Sequence, residues 1–134
     1  MGDELKAAGD SKVKVRSFKD LLVWQKGMAL AKAIYGITRP FPKEEKFGLI
    51  SQMRRAAVSI PSNIAEGQAR HTTKEFILFI SHAEGSVAEL ETQLMLAVDL
   101  GYCLPSQVEE AFRLVSDLRN MLNALRRTLS RNDA

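Results

Sequence analysis

Apolar side chains recur at alternating steps of three and four residues in four separate stretches of this chain. These steps place side chains on one face of an α-helix, whereas a half-buried strand requires strict alternation, which no stretch shows. Prolines and glycines separate the stretches, and the connections between them are only a few residues long. Short connections make each helix fold back on the one before it. The pattern therefore predicts an all-α, up-down-up-down antiparallel four-helix bundle.

The repeats also predict which side of each helix faces the core. The apolar side of the first helix is expected to consist of Leu21, Trp24, Met28, Ala31, Tyr35 and Thr38. The third helix repeats with Phe76, Ile80, Ala83, Val87, Leu90, Leu94 and Ala97, and the fourth with Val108, Ala111, Val115, Leu118, Leu122, Leu125 and Leu129. Seven-residue spacing of such positions favours shallow crossings of about 20° between neighbouring helices.

Two pairs of residues have the spacing of a capping box, in which a hydroxyl and a carboxylate satisfy the first amides of a helix. Ser17 with Asp20 predicts the start of the first helix, and Thr72 with Glu75 predicts the start of the third. Gly101 is expected to end the third helix, because glycine adopts the backbone conformation that closes a helix.

The second helix is expected to run from about residue 43 to residue 69, with Pro61 inside it. Proline removes one backbone hydrogen bond from a helix interior and costs about 3 kcal/mol there. We therefore expect a bend between residues 57 and 61. Ser59 and Ser62 are placed to hydrogen-bond the carbonyl that the proline leaves free.

The chain has 134 residues, of which 46% are hydrophobic, so it suits one domain with one core. Residues 1–17 are polar and aperiodic, and we expect a flexible N-terminal arm in front of a bundle domain spanning residues 18–134. No apolar run approaches the ~20 residues of a membrane span, and the N-terminal stretch has no apolar secretory core. These features predict a cytoplasmic protein without membrane contact.

Charge is distributed unevenly, although the net charge is only +3. Residues 73–101 are acidic and residues 113–131 are basic. The acidic stretch carries Glu75, Glu84, Glu89, Glu91 and Asp99, and the basic stretch carries Arg113, Arg119, Arg126, Arg127 and Arg131. This asymmetry indicates either pairing between neighbouring helices or subunits, or a basic face offered to phosphate.

A polar edge follows one side of the second helix. Its members project within about 100° of one another and are Gln52, Arg55, Ser59, Ser62, Asn63, Glu66 and Arg70. One interpretation is a hydrogen-bonded network that fixes helix register or a subunit contact. In the other, arginines contact phosphate and the neutral side chains add hydrogen bonds. The residues assigned to nucleic-acid binding or interaction are then Arg54, Arg55, Ser59, Ser62, Asn63, Glu66 and Arg70.

The fourth helix offers a second candidate surface. Arg119 and Arg126 recur there at heptad spacing. A solvated or salt-bridged face is one explanation. The other is attachment to RNA or DNA, which repetition of this patch in an oligomer would strengthen.

Leu78, Leu96 and Leu100 point away from the predicted core side of the third helix. A contiguous apolar surface of this kind is typical of a protein contact, so these leucines form the predicted oligomer interface. The alternative is that they are scattered surface leucines without consequence.

Catalysis finds no support in the residue pattern. Di-iron bundles use Glu-x-x-His pairs, and no Glu in this sequence precedes a His by three residues. His82 and Glu89 lie two turns apart on one helix face, which is too little for a metal site on its own. A single cysteine, Cys103, excludes an internal disulfide and a multi-cysteine site. We expect no catalytic residues, no metal and no cofactor.

Three segments carry a resemblance to a known family. They are FKDLLVWQKGMALAKAIYGIT, FPKEEKFGLISQMRRAAVSIPSNIAEGQAR and TTKEFILFISHAEGSVAELETQL. They resemble the bacterial four-helix-bundle proteins encoded in intervening sequences of large-subunit ribosomal RNA genes. The resemblance covers residues 18–103 closely and the fourth helix only in pattern.

This resemblance implies a homopentameric ring of bundles and suggests nucleic-acid binding. A distant relative is the accessory protein of diversity-generating retroelements, which binds nucleic acid and a reverse transcriptase. The first hypothesis is therefore a non-enzymatic oligomeric bundle that binds structured RNA or DNA as an accessory factor. The alternative is a protein–protein scaffold, for example an accessory subunit of a reverse transcriptase, without direct nucleic-acid contact.

Overall fold

A computed structural model describes residues 17–133, and every regular element in that range is helical. The α-helices are α1 (Leu22–Thr38), α2 (Leu49–Gln68), α3 (Thr73–Asp99) and α4 (Glu109–Asp133). Single 3₁₀ turns at Phe18–Asp20, Lys43–Glu45 and Pro105–Gln107 precede α1, α2 and α4. The prediction of helices without strands is confirmed for residues 17–133. The predicted arm lies outside the described residues apart from Ser17.

The four helices surround one core. Helix α1 packs on α2, α2 on α3 and α3 on α4, and α4 packs back on α1, which makes the fold a four-helix bundle. Completely buried side chains from every helix fill the centre, and they include Leu30, Ile34, Met53, Ile60, Ile64, Ile80, Leu90, Leu94, Leu118 and Leu122. Burying each of them stabilises the fold by about 1.5–3 kcal/mol relative to exposure.

The predicted core sides of α3 and α4 are confirmed. From Ile80 to Ala97, every predicted position of α3 is buried, and Phe76 is half-buried at the start of the helix. Along α4 the predicted positions are buried apart from Leu125, which packs against the core from its edge. Leucine and valine at steps of three and four therefore specified these two faces correctly.

The predicted core side of α1 is confirmed at Leu21, Ala31 and Thr38, which are buried, and is wrong by about one residue at the other three positions. The buried residues include Val23, Gly27 and Ile34, each of which precedes a predicted core residue. Tyr35 is 41% exposed at the edge of the bundle. Gly27 belongs to this buried face, and a Cβ atom added there would lie 3.4 Å from Ile60 and from Pro61 of α2, an ordinary contact distance. Aromatic residues drew the prediction toward the wrong side, although their polar ends suit an edge position.

The start of α2 also differs from the prediction, since the α-helix begins at Leu49 and not near residue 43. Gly48 has φ −110° and ψ −111°, which is not helical and separates the 3₁₀ turn from α2. The Glu45 carboxylate then accepts a hydrogen bond from the Leu49 amide at 2.9 Å. A Cβ atom on Gly48 would lie 2.7 Å from that carboxylate, so the cap favours glycine.

The capping predictions hold in part. Ser17 and Asp20 form a capping box, but it closes the 3₁₀ turn, and α1 itself begins at Leu22. Thr72 accepts a hydrogen bond from the Glu75 amide at 3.1 Å, which caps α3 as predicted. Gly101 follows α3 with φ +79°, the left-handed conformation that glycine adopts without strain.

Helix α2 continues through the buried Pro61. The Ser59 hydroxyl donates to the Ala56 carbonyl at 2.9 Å, one residue before the carbonyl that loses its partner to the proline. Near the end of α2, a Cβ atom on Gly67 would lie 2.8 Å from Cβ of Phe79. This glycine therefore allows α3 to pack tightly on α2.

Within residues 17–133, none of the helices combines the length and apolar character that crossing a membrane requires.

Candidate functional site

A surface depression of about 590 Å³ lies between α1 and α2 and contains part of the predicted polar edge. It is lined by Tyr35, Ser51, Arg54, Arg55, Val58, Ser59 and Ser62. The structure thus brings together four of the residues assigned to binding, namely Arg54, Arg55, Ser59 and Ser62. Tyr35 and Ser51 are additional members that the sequence interpretation did not assign. We call this feature the α1–α2 depression.

Arg54 is held rigidly at the side of the depression. Its Nε donates to Thr38 Oγ1 at 2.9 Å, and its Nη2 donates to the Tyr35 carbonyl at 3.4 Å. The guanidinium carbon lies 4.5 Å from the centre of the Tyr35 ring. Thr38 is completely buried, and its hydroxyl donates to the Ile34 carbonyl at 2.7 Å. Helix α1 therefore fixes the orientation of an arginine from α2.

Three other groups in the depression are available to a ligand. Ser51, Arg55 and Ser62 are exposed, and none has a hydrogen-bond or ion-pair partner among residues 17–133. Their spacing places them in one row along α2, with Val58 between them. A row of two hydroxyls and one guanidinium suits phosphate oxygens, because all three groups donate hydrogen bonds.

The middle of the polar edge is occupied by structural contacts. Ser59 shares a hydrogen bond of 2.5 Å with Ser86 of α3. Asn63 donates to the Ser59 carbonyl at 2.7 Å. The Ser59–Ser86 bond ties α2 to α3, whereas the Asn63 bond lies within α2.

The end of the polar edge is also occupied. Arg70 lies beyond the end of α2 and pairs with Glu66 at 3.1 Å. Its guanidinium carbon also lies 4.6 Å from the centre of the Phe79 ring. Arg70 therefore stabilises the connection between α2 and α3. Along the polar edge, Ser59, Asn63, Glu66 and Arg70 therefore have partners, whereas Arg55 and Ser62 have none among residues 17–133.

The basic residues of α4 face the acidic residues of α3. Arg126 Nε lies 3.0 Å from a carboxylate oxygen of Glu84, and Arg119 pairs with Glu91. Arg113 pairs with Glu110 on its own helix. The first alternative for the charge asymmetry, pairing between neighbouring helices, thus describes Arg119 and Arg126. Both were assigned to nucleic-acid binding, and the structure places both in ion pairs.

The side of the bundle formed by α1 and α2 has free positive charge instead. Helix α1 contains no Asp or Glu, and α2 contains only Glu66. Lys32 and Arg39 are exposed and have no ion-pair partner among the described residues. They lie three residues before and four residues after Tyr35, which places them on the same helix face. The sequence signal for this surface was the run from residue 21 to residue 43 without an acidic residue, and our sequence interpretation missed it.

The predicted interface leucines are exposed. The exposed fractions are 53% for Leu78, 46% for Leu96 and 50% for Leu100. Separations of 18 and 22 residues place all three within about 40° on one side of α3. A Cβ atom on Gly85, between them, would meet no atom within 4 Å. The outer side of α3 therefore combines apolar side chains with a position that has open space.

A family model described as 23S rRNA-intervening sequence protein matches residues 19–124. The chain belongs to the 23S rRNA-intervening sequence protein family. The resemblance carried by residues 18–103 is thereby confirmed, and the match extends it into α4. No curated protein matches the chain. The further similarity to the retroelement accessory protein stays a prediction.

In this family member, the metal-ligating side chains are dispersed. Among residues 17–133, no group of three or more His, Cys, Asp or Glu residues is close enough together to hold a metal ion. The His82 ring packs against the Phe79 ring, with their centres 5.7 Å apart. Cys103 is buried, and burial raises the pKa of its thiol.

Glu45 lies just before α2, and its carboxylate is already engaged in hydrogen bonds within the chain. It accepts hydrogen bonds from the Leu49 amide and from the Tyr102 hydroxyl, the latter at 2.8 Å. These two bonds lower the pKa of Glu45, and the same carboxylate raises the pKa of Tyr102. Glu45 thus connects the start of α2 to the segment that follows α3.

Proposed function

We propose that this protein is a non-enzymatic, homo-oligomeric bundle that binds structured nucleic acid through the α1–α2 side. The observation that carries the proposal is a row of donors in the α1–α2 depression, Ser51, Arg55 and Ser62, beside the cations Lys32 and Arg39. None of these side chains has a hydrogen-bond or ion-pair partner among residues 17–133. Phosphate-directed binding uses such groups, because hydroxyls and guanidinium groups donate to phosphate oxygens and fix the register of the polymer.

The pairing of charges favours this side over α4. A cation that is already paired with a carboxylate must lose that partner before it contacts phosphate. Arg119 and Arg126 have such partners on α3, whereas Arg55 has none among residues 17–133. Arg127 and Arg131 of α4 are likewise exposed and without an ion-pair partner among those residues, but neither lines the α1–α2 depression. Arg55 is the strongest single candidate for a phosphate contact because it lies there beside Ser51 and Ser62.

The proposal includes an antiparallel bundle. Contacts between helices support it, since later residues of one helix meet earlier residues of the next. Arg119 of α4 meets Glu91, and the later Arg126 meets the earlier Glu84. In the same way, Arg54 of α2 meets Thr38, whereas the later Pro61 lies beside Gly27.

Self-association completes the proposal. The exposed leucines on the outer side of α3 suit an interface between copies, since apolar surface of this kind gains stability when it is covered. The resemblance implies five copies. Five α1–α2 depressions in a ring would sum their positive potentials and strengthen attachment to RNA or DNA.

The test is the binding of a fluorescently labelled, structured RNA by the purified chain between about 50 and 200 mM salt. Arg55→Glu should weaken binding and reduce the slope of log affinity against log salt by at least about one phosphate contact. Arg113→Glu is the matched control, because it reverses an exposed arginine of α4 that is paired with Glu110. Equal binding by both variants and the unaltered chain would contradict the proposal.

The exposed leucines also support a second candidate function, a protein–protein scaffold such as an accessory subunit of a reverse transcriptase. Its contact would be apolar and therefore tolerant of salt. Leu78→Asp and Leu96→Asp should then abolish capture of the partner in high salt while the mass of the oligomer in solution stays unchanged. Dissociation of the oligomer into monomers would instead assign these leucines to self-association.

A further inference from the structure

We propose that Tyr35 and Arg54 form a stacking platform for one unpaired nucleobase, so that the α1–α2 depression recognises a single-stranded nucleotide within the structured target. This inference rests on the proposed function and names the ligand of the same site. It is carried by the arrangement of one aromatic ring, one fixed guanidinium group and the adjacent unoccupied donors.

The platform is preorganised. Arg54 lies 4.5 Å from the centre of the Tyr35 ring, and two hydrogen bonds to Thr38 and to the Tyr35 carbonyl prevent its rotation. Tyr35 remains 41% exposed and lines the depression. A ligand that stacks here orders few additional side-chain rotations, and so loses little of its binding free energy to entropy.

The surroundings suit a nucleotide. The depression of about 590 Å³ is within the size range of small-molecule sites. Val58 supplies apolar surface beside the platform, and Arg55 with Ser51 supplies donors for a phosphate. The base and its phosphate would therefore meet different parts of one depression.

The geometry favours an unpaired base over a duplex. Bases stack on aromatic rings and on guanidinium planes in proteins that bind single strands, and the contact tolerates any base. A base inside a duplex has both faces covered by its neighbours. Only a nucleotide in a loop, a bulge or a single strand can present a free face to Tyr35 and Arg54.

A purely structural role makes a different prediction. If the Tyr35–Arg54 contact only ties α1 to α2, its loss would reduce the stability of the fold and leave the affinity of folded protein for RNA unchanged. The two roles can therefore be separated by measuring binding and thermal unfolding on the same variants.

The experiment compares a labelled single-stranded oligouridine with a blunt RNA duplex of equal length, by fluorescence anisotropy with the full chain. Tyr35→Ala should weaken single-strand binding by about 5- to 150-fold, the range for removing one stacked base. Tyr35→Phe should bind within about twofold of the unaltered chain, because the ring is kept. Duplex affinity and the salt slope should not change in either variant, since no phosphate contact is removed.

Two further variants keep the test decisive. Phe47→Ala removes an aromatic side chain that is 89% exposed and lies outside the depression, so it should leave both affinities unchanged. Arg54→Lys keeps the charge and removes the planar group. If Tyr35→Ala does not fold, Arg54→Lys should still weaken single-strand binding at an unchanged salt slope.

The outcomes separate the inference from the proposed function. Unchanged single-strand binding by folded Tyr35→Ala or Arg54→Lys, together with weaker binding by Arg55→Glu, would overturn the stacking platform and leave phosphate binding intact. No effect of Arg55→Glu on either RNA would overturn the proposed function and the platform with it.

Discussion

The two sides of the bundle use arginine in different ways. On the α3–α4 side, Arg119 and Arg126 pair with glutamates of the neighbouring helix. On the α1–α2 side, Arg54 is held by a hydroxyl, a carbonyl and an aromatic ring, and Arg55 has no partner among residues 17–133. Among residues 17–133, each side also keeps two exposed arginines without an ion-pair partner, Arg39 and Arg55 on the first side and Arg127 and Arg131 on the second, but of these four only Arg55 lines a depression.

Local charge density along a sequence therefore does not reveal which cations are paired in the folded chain. A basic stretch facing an acidic stretch forms ion pairs, and exposed ion pairs contribute only about 0–1 kcal/mol each to stability. Cations on a helix pair with a single carboxylate, Glu66, which is paired with Arg70, keep most of their potential toward phosphate. The predictions below test this difference between the two sides, in order of decreasing effect.

The largest effect on stability is expected on the α1–α2 side, at Thr38. Thr38→Val removes the hydroxyl that accepts from Arg54, and the arginine loses its fixed orientation. Leaving a partly buried donor unsatisfied costs about 1–3 kcal/mol. Unfolding in denaturant should show this loss in the free energy of unfolding.

Thr92→Val is the matched control for Thr38→Val. The Thr92 hydroxyl also donates to a carbonyl of its own helix, at 2.9 Å, but this residue is exposed. Its loss should change the free energy of unfolding by less than about 0.5 kcal/mol. If both variants lose the same stability, the Arg54 arrangement contributes nothing beyond a local hydrogen bond.

A smaller effect is expected on the α3–α4 side. A double-mutant cycle with Glu84→Gln and Arg126→Gln should give a coupling energy of about 0.2–1 kcal/mol, because both side chains are partly exposed. The coupling should decrease at high salt, since salt screens such pairs. A coupling energy near zero at low salt would remove the pairing that distinguishes this side.

The smallest effect concerns Glu45, whose pKa is lowered by hydrogen bonds from the Leu49 amide and the Tyr102 hydroxyl. The folded state therefore binds fewer protons than the unfolded state at acidic pH. The contribution of Glu45 to the free energy of unfolding is complete above the ordinary carboxyl pKa. It is lost as pH falls through the lowered pKa of the folded state. Glu45→Gln should flatten the acid side of the profile of unfolding free energy against pH, and an unchanged profile would contradict this contribution.

The sequence predicted most of the fold. The faces of α3 and α4 followed from leucine and valine spacing, because these side chains belong to the core wherever the helix places them. The face of α1 followed only in part, because Trp24 and Tyr35 were counted as core residues, whereas the bundle buries the residues before them, Val23 and Ile34. The break before α2 lies at Gly48, where the Glu45 carboxylate accepts from the Leu49 amide. The spacing of apolar residues carries no signal for this hydrogen bond.

The candidate site was predicted only in outline. The polar edge included Arg55 and Ser62, which line the depression, and it also included Asn63 and Arg70, which have partners within the chain. Sequence spacing within one helix gives directions but not partners on other helices. The residue spacing of α1 placed Tyr35 in the core. Its contact with Arg54 could not be predicted, because that contact depends on how α1 lies against α2.

The central claim is that the α1–α2 side, and not the α3–α4 side, meets nucleic acid. The most direct test compares the salt dependence of RNA binding for two triple variants. One changes Lys32, Arg39 and Arg55 to Glu, and the other changes Arg113, Arg127 and Arg131 to Glu. For the first variant, the account predicts that the slope of log affinity against log salt falls by about 2.7, which is about 0.9 for each of three lost phosphate contacts. For the second variant it predicts little change in that slope. An unchanged slope for the first variant with a reduced slope for the second would contradict it.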